Sequence, residues 1–116
     1  MSALDDHFRS PRNAGVLDDA DLRVEVDNPV CGDVLRLTLR RAADGSIEDV
    51  RFQAYGCPAA VAVGSFLTEL LRGKSRDALA EIDRDSVDRA LGGLSSEKAH
   101  AAVLAQDAVA LLRAGW

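Results

Sequence analysis

The spacing of apolar residues changes once along the chain, at Cys57-Pro58, and this limits the fold to a sheet followed by helices. Before that point apolar and polar residues alternate. Leu22, Val24 and Val26 are interleaved with Arg23, Glu25 and Asp27, the pattern of a half-buried strand. The segment Val34 to Leu39 repeats it through Leu35, Leu37 and Leu39, and after an Asp44-Gly45 turn signal a third strand runs from Ile47 through Tyr55, with Val50, Phe52 and Ala54 on one side. Beyond Pro58 the period lengthens. Val63, Phe66, Leu67, Leu70 and Leu71 fall on one helical stripe, with Pro58 suited to the first turn and Gly73 to the stop. Short helices are expected at 76–82, after Ser75, and at 86–91, between Asp85 and Gly92. A last helix is expected from Glu97 to Arg113, capped by Ser95 or Ser96, with Leu104, Ala108, Leu111 and Leu112 inward. The predicted fold is α+β: a small three-stranded antiparallel sheet, helices packed on one face, and a long C-terminal helix. Residues 1–116 read as a single domain, without repeat or linker.

Bulk properties exclude several classes of function. The chain is 47 % hydrophobic and 28 % charged, and nothing in it approaches the roughly 20 apolar residues of a spanning helix. The first residues lack the basic-then-apolar build of a signal peptide and carry acids where a transit peptide avoids them, so a cytoplasmic, bacterial protein is expected. A formal net charge of −5 argues against nucleic-acid or anionic-membrane binding and fits solubility, or a basic protein partner. Two cysteines, Cys31 and Cys57, would be free thiols or metal ligands in a reducing compartment.

Three segments at element boundaries carry groups with chemistry. Cys31-Gly32-Asp33 lies between the first two strands, Gly56-Cys57-Pro58 joins the third strand to the first long helix, and His100 opens the last helix. Thiolates and imidazole suit zinc and iron–sulfur clusters, while a carboxylate is a harder ligand. Cys57 would sit at a helix N-terminus, where the dipole favours negative charge, and Gly32 and Gly56 would let the backbone approach a bound ion without a Cβ in the way. Spacing alone leaves plainer readings open: buried inert thiols, a surface histidine, a turn or cap aspartate. Gly73-Lys-Ser75 ends like a P-loop, but the upstream glycine position is Thr68. A Cys57–His100 hydrolase dyad would lack an oxyanion-hole motif. His7 is read as structural or surface, and Arg9, Arg12, Arg40 and Arg41 as solvated charges; Trp116 either packs or frays.

The chain resembles the IscU/NifU N-terminal family of iron–sulfur cluster assembly scaffolds. His7-Phe-Arg-Ser-Pro-Arg-Asn-Ala-Gly15 is similar to its opening motif, Cys31-Gly-Asp33 to its first ligand segment, Tyr55-Gly-Cys57 to its second, and Lys98-Ala-His100 followed by Leu104-Ala-Gln-Asp-Ala108 to its third. The resemblance implies a carrier on which a cysteine desulfurase deposits sulfur, iron joins it, and a transient [2Fe–2S] cluster passes to recipient apoproteins. It implies Cys31, Asp33, Cys57 and His100 as cluster or metal ligands, zinc being the alternative occupant, and no catalytic residue, the protein not being an enzyme.

Two departures qualify what is implied. The family's third cysteine follows the histidine, and here that position is Ala101. Four potential ligands remain, enough for a tetrahedral zinc or a mixed-ligand [2Fe–2S] site, but a cluster shared by a dimer is as compatible with two thiolates per chain as a monomer. The family's Leu-Pro-Pro-Val-Lys chaperone motif is here Leu94-Ser-Ser-Glu-Lys98, without the prolines that pre-organise an extended peptide, so no Hsp70-type chaperone is expected. The stretch from Cys57 to His100 leaves no room for the insertion of the zinc-dependent sulfur-transfer subfamily. A sulfur relay, in which Cys57 or Cys31 accepts persulfide from a desulfurase, and a zinc-stabilised binding module are the competing readings.

Overall fold

In a computed structural model the described residues are 3–28, 32–94 and 99–116. Strands β1 (Leu22–Asn28), β2 (Asp33–Arg41) and β3 (Ile47–Tyr55) form an antiparallel sheet in the order β1-β2-β3. The alternation sets the register: Leu35, Leu37 and Leu39 of the central strand lie opposite Val26, Val24 and Leu22 on one side and Ala54, Phe52 and Val50 on the other. These residues share one face, and the three β2 leucines are essentially fully buried. Helices α2 (Pro58–Leu71) and α4 (Ala99–Gly115) pack against the sheet, Val63, Leu67 and Leu71 meeting Leu104, Ala105, Ala108 and Leu112 in a common core. No helix among the described residues is long and apolar enough to cross a membrane.

Gly64 shows how closely α2 approaches the sheet. A Cβ there would lie 2.5 Å from Phe52 Cδ2 and 3.1 Å from Leu35 Cδ1. Gly64→Ala is therefore expected to destabilise the fold by about 1–2 kcal/mol, because overpacking outweighs the helix-propensity gain. Urea denaturation measures it, and an unchanged or raised midpoint would contradict this packing.

The helices depart from the predicted ones in detail. Phe66 and Leu70 are only partly buried, whereas Ser65 and Thr68 are fully so. The inward arc of α2 is wider than its apolar stripe because a second layer packs on it. That layer is a helix the periodicity does not announce, α1 (Ala3–Arg9), and the loop after it. The 76–82 segment forms a 3₁₀ helix, Asp77–Glu81. The next helix is α3 (Arg84–Ala90), capped by Asp83 rather than starting past Asp85, because Asp83 and Ser86 form a reciprocal capping box. The Ser86 backbone N–H holds the Asp83 carboxyl below its ordinary range. In α4 Leu111 is exposed, its place inside taken by Ala101, Ala105 and Val109 as the stripe turns at 3.6 residues per turn. The expected Ser95 or Ser96 cap and the Glu97 start lie outside the described residues.

The opening motif is a clamp. Asn13, in the left-handed region at φ 62°, lets the chain lie parallel to β3, where Phe52 N–H donates to Asn13 O (3.0 Å) and Gly15 N–H to Phe52 O (2.8 Å). This covers part of an otherwise open sheet edge. The Leu17 N–H then donates to Thr38 Oγ1 on the opposite sheet face (3.0 Å). Arg12 is not a solvated charge: its Nη2 pairs with Asp6 at 2.6 Å and its Nη1 is buried without a partner among the described residues. Arg40 bridges Asp19 and Glu48 at the surface. Trp116 packs under the Arg41 guanidinium, 5.7 Å from the ring centre.

His7 is structural, 6 % exposed at the centre of this clamp. Its Nδ1 is 2.7 Å from Ser65 Oγ, its Nε2 is 3.1 Å from Glu69, and its ring meets Phe66 edge-on. The Glu69 carboxylate opposite Nε2 calls for a proton on that nitrogen, and Ser65 Oγ, which accepts the Arg12 N–H (2.8 Å), has a hydroxyl proton to offer Nδ1. Burial lowers the His7 pKa, opposed by Glu69 and Asp6 and assisted by Arg12. Between the lowered folded pKa and the unfolded value near 6.5 the unfolded chain binds more protons, so stability falls as pH drops through that window. Chemical denaturation between pH 8 and pH 5 should show this loss, and His7→Gln should reduce it; an unaltered pH dependence in the variant would assign the loss elsewhere.

Candidate metal centre

Antiparallel pairing at one end of the sheet creates the site. Val34 lies opposite Tyr55, so the residues just outside this pair, Asp33 at the start of β2 and Gly56-Cys57 after β3, become neighbours although 24 positions separate Asp33 from Cys57. Cys57 is the N-cap residue of α2, with Pro58 opening the helix. The first turn of α4 brings His100 to the same place.

The thiol, carboxylate and imidazole ligand atoms of Cys57, Asp33 and His100 lie within 4.8 Å of one another. Cys57 Sγ is 3.5 Å from Asp33 Oδ2 and 3.5 Å from His100 Nε2, and His100 Nε2 is 2.7 Å from Asp33 Oδ2. Tetrahedral bonds of about 2.0–2.3 Å place ligand atoms roughly 3.3–3.8 Å apart. Both sulfur distances meet that spacing. The histidine–carboxylate pair is a hydrogen bond that would open by about 0.6 Å around an ion. The trio can thus hold one soft or borderline cation with little rearrangement, and it is partly open to solvent: the His100 side chain is 20 % exposed, that of Asp33 1 %.

Asp33 is more than a turn residue. Its Oδ1 accepts the Cys57 backbone N–H at 2.9 Å, while Oδ2 faces the thiol and imidazole. Gly56 makes room for it, since a Cβ at that position would overlap Asp33 Oδ1. The glycine therefore leaves space for the carboxylate rather than for an ion. Gly32 has nothing among the described residues within 4 Å of where a Cβ would lie, and its φ of +73° is what calls for glycine. The Gly56 overlap has no sequence signal beyond the Gly-Cys pair, since it depends on strand register.

Two depressions flank His100. One, of about 260 Å³, lies between α3 and α4 and is lined by Asp85, Asp88, Leu94 and Val103; the other, of about 230 Å³, is bounded by Asp27, Leu104 and Asp107. Cys31 lies outside the described residues, as do Ser95 to Lys98 of the segment compared with a chaperone motif. Ala101 is fully buried in the core and offers no ligand atom.

Comparison with known proteins gives one answer. Residues 2–112 match the model of the NifU-like N terminal domain. The chain is 46 % identical over 104 residues to the iron–sulfur cluster assembly scaffold protein IscU 1 of Archaeoglobus fulgidus, covering 90 % of this chain and 67 % of that protein. It is 40 % identical over 107 residues to the scaffold protein IscU of Escherichia coli K12, covering 90 % and 83 %. A crystal structure from Fervidobacterium islandicum AW-1, of a protein described as a scaffold for iron–sulfur cluster assembly in the SUF system, has the same fold: TM-score 0.77 at 19 % identity, over 96 % of this chain and 93 % of that one.

Proposed function

The chain belongs to the NifU-like N-terminal domain family, and from that premise we propose that it is an iron–sulfur cluster assembly scaffold rather than an enzyme. In this reading residues 1–116 act as one domain that receives sulfur from a cysteine desulfurase, carries a [2Fe–2S] cluster as cargo in the cytoplasm, and gives it up to recipient apoproteins. The supporting observation is the convergence of Cys57, Asp33 and His100 from three elements onto a spacing suited to a metal. Cys31 is the fourth ligand. It stands two positions before Asp33 in the sequence. Two thiolates, an oxygen and an imidazole hold a cluster less firmly than four thiolates, which suits a protein that must release it. Because Ala101 carries no thiol, sulfur delivery falls to Cys57 or Cys31.

Anaerobic reconstitution with iron, cysteine and a desulfurase tests this. Visible absorption of a [2Fe–2S] centre, with iron and sulfide in matching amounts, is the expected outcome. A colourless protein retaining about one zinc, the content of a single tetrahedral site, would refute the scaffold reading and leave a zinc-stabilised module or sulfur relay. Size-exclusion of the loaded protein separates a monomer from a cluster-bridged dimer.

A further inference from the structure

The geometry points to a second role for Asp33: it is the residue that positions Cys57, and it faces the cargo through one oxygen only. The inference rests on the proposed ligand set and adds a division of labour within it. A carboxylate has two oxygens, and here their partners differ. Oδ1 takes the Cys57 backbone N–H at 2.9 Å, and Oδ2 alone meets His100 Nε2 and Cys57 Sγ. The Cys57 side chain does not cap its own helix; its carbonyl accepts the Ala60 N–H at 3.0 Å within the first turn of α2, and the bond from its N–H to Asp33 ties that turn to the start of β2. Such a bond to a charged acceptor is stronger than a neutral one, and burial of Asp33 strengthens it further. Gly56 completes the device, because any side chain there would push Oδ1 off the N–H. With Oδ1 committed, Asp33 has Oδ2 alone to offer a metal, and Cys57 beside it is held in place whether or not cargo is bound.

Asp33→Asn and Asp33→Ala separate the two roles. Asparagine keeps an oxygen for the Cys57 N–H and puts a non-ligating amide nitrogen where Oδ2 was; alanine removes both. Cobalt(II), whose thiolate charge-transfer band reports Cys ligation, is the probe. Both variants should bind it more weakly than the wild type, and Asp33→Ala about five- to tenfold more weakly than Asp33→Asn, the worth of one hydrogen bond. Equal affinities for the two would overturn the positioning role. In the metal-free protein the Cys57 amide proton should be shifted downfield and slow to exchange in the wild type, similarly in Asp33→Asn, and lose both features in Asp33→Ala. A wild-type Cys57 amide exchanging at the rate of a free one would overturn the proposal even if Asp33→Ala failed to fold. If the wild type binds no cobalt, the proposed ligand set fails, while the amide measurement still decides the positioning on its own.

Discussion

Gly56→Ala should lower the stability of the metal-free protein by roughly 2–5 kcal/mol and remove tight metal binding. Two costs add. A φ of +120° is strained for any L side chain, about 1–3 kcal/mol, and the new Cβ overlaps Asp33 Oδ1, forcing a buried carboxylate out of its place. The carboxylate cannot yield cheaply, since Asp33 is fully buried and bonded on both oxygens. Urea denaturation and cobalt titration measure the two consequences. Removing the obstruction in Gly56→Ala/Asp33→Ala should recover part of the stability, leaving the backbone strain, without restoring metal affinity. A single variant within 0.5 kcal/mol of the wild type, the usual spread of surface substitutions, would show that the overlap is accommodated elsewhere.

Cys57→Ala is expected to share the large loss of metal binding but with only a small change in fold stability. Structural zinc sites are worth about 10–16 kcal/mol over four ligands, so losing one thiolate should weaken binding by about 10²–10³-fold. The metal-free fold loses a half-buried thiol at the edge of the core whose polar contacts to Asp33 and His100 are 3.5 Å long, and Asp33 keeps both the residue-57 N–H and His100 as partners. A zinc competition assay and a thermal melt without metal separate these effects. Unchanged zinc affinity would remove Cys57 from the site, and with it the reading of the sheet end as a metal centre.

The sheet was legible because each strand has one wet and one dry face, so a period of two appears directly in Leu22–Val26, Leu35–Leu39 and Val50–Ala54. The helices were legible where one layer covers them and misleading where two do. Ser65 and Thr68 look solvent-facing because their partners, His7, Arg12 and Asn13, are more than fifty residues away and polar. The α1 helix escaped notice because seven residues carry too short a pattern. The candidate site residues stood out in the sequence as types at element boundaries, and the family's motifs ranked them above other cysteines, aspartates and histidines.

By itself, then, the sequence determined the fold class, the succession of three strands and the helices after them, and the donor atoms available at Asp33, Cys57 and His100, because side-chain chemistry and local periodicity are properties of the chain alone. Only the tertiary structure decided that Asp33 turns one oxygen to the Cys57 backbone and the other toward the thiol and imidazole, and that Gly56 must be bare to allow it. Those facts depend on which residues face each other across β2 and β3 and on where α4 begins. Strand register and helix docking are set by packing the whole core, and no local stretch of sequence encodes them.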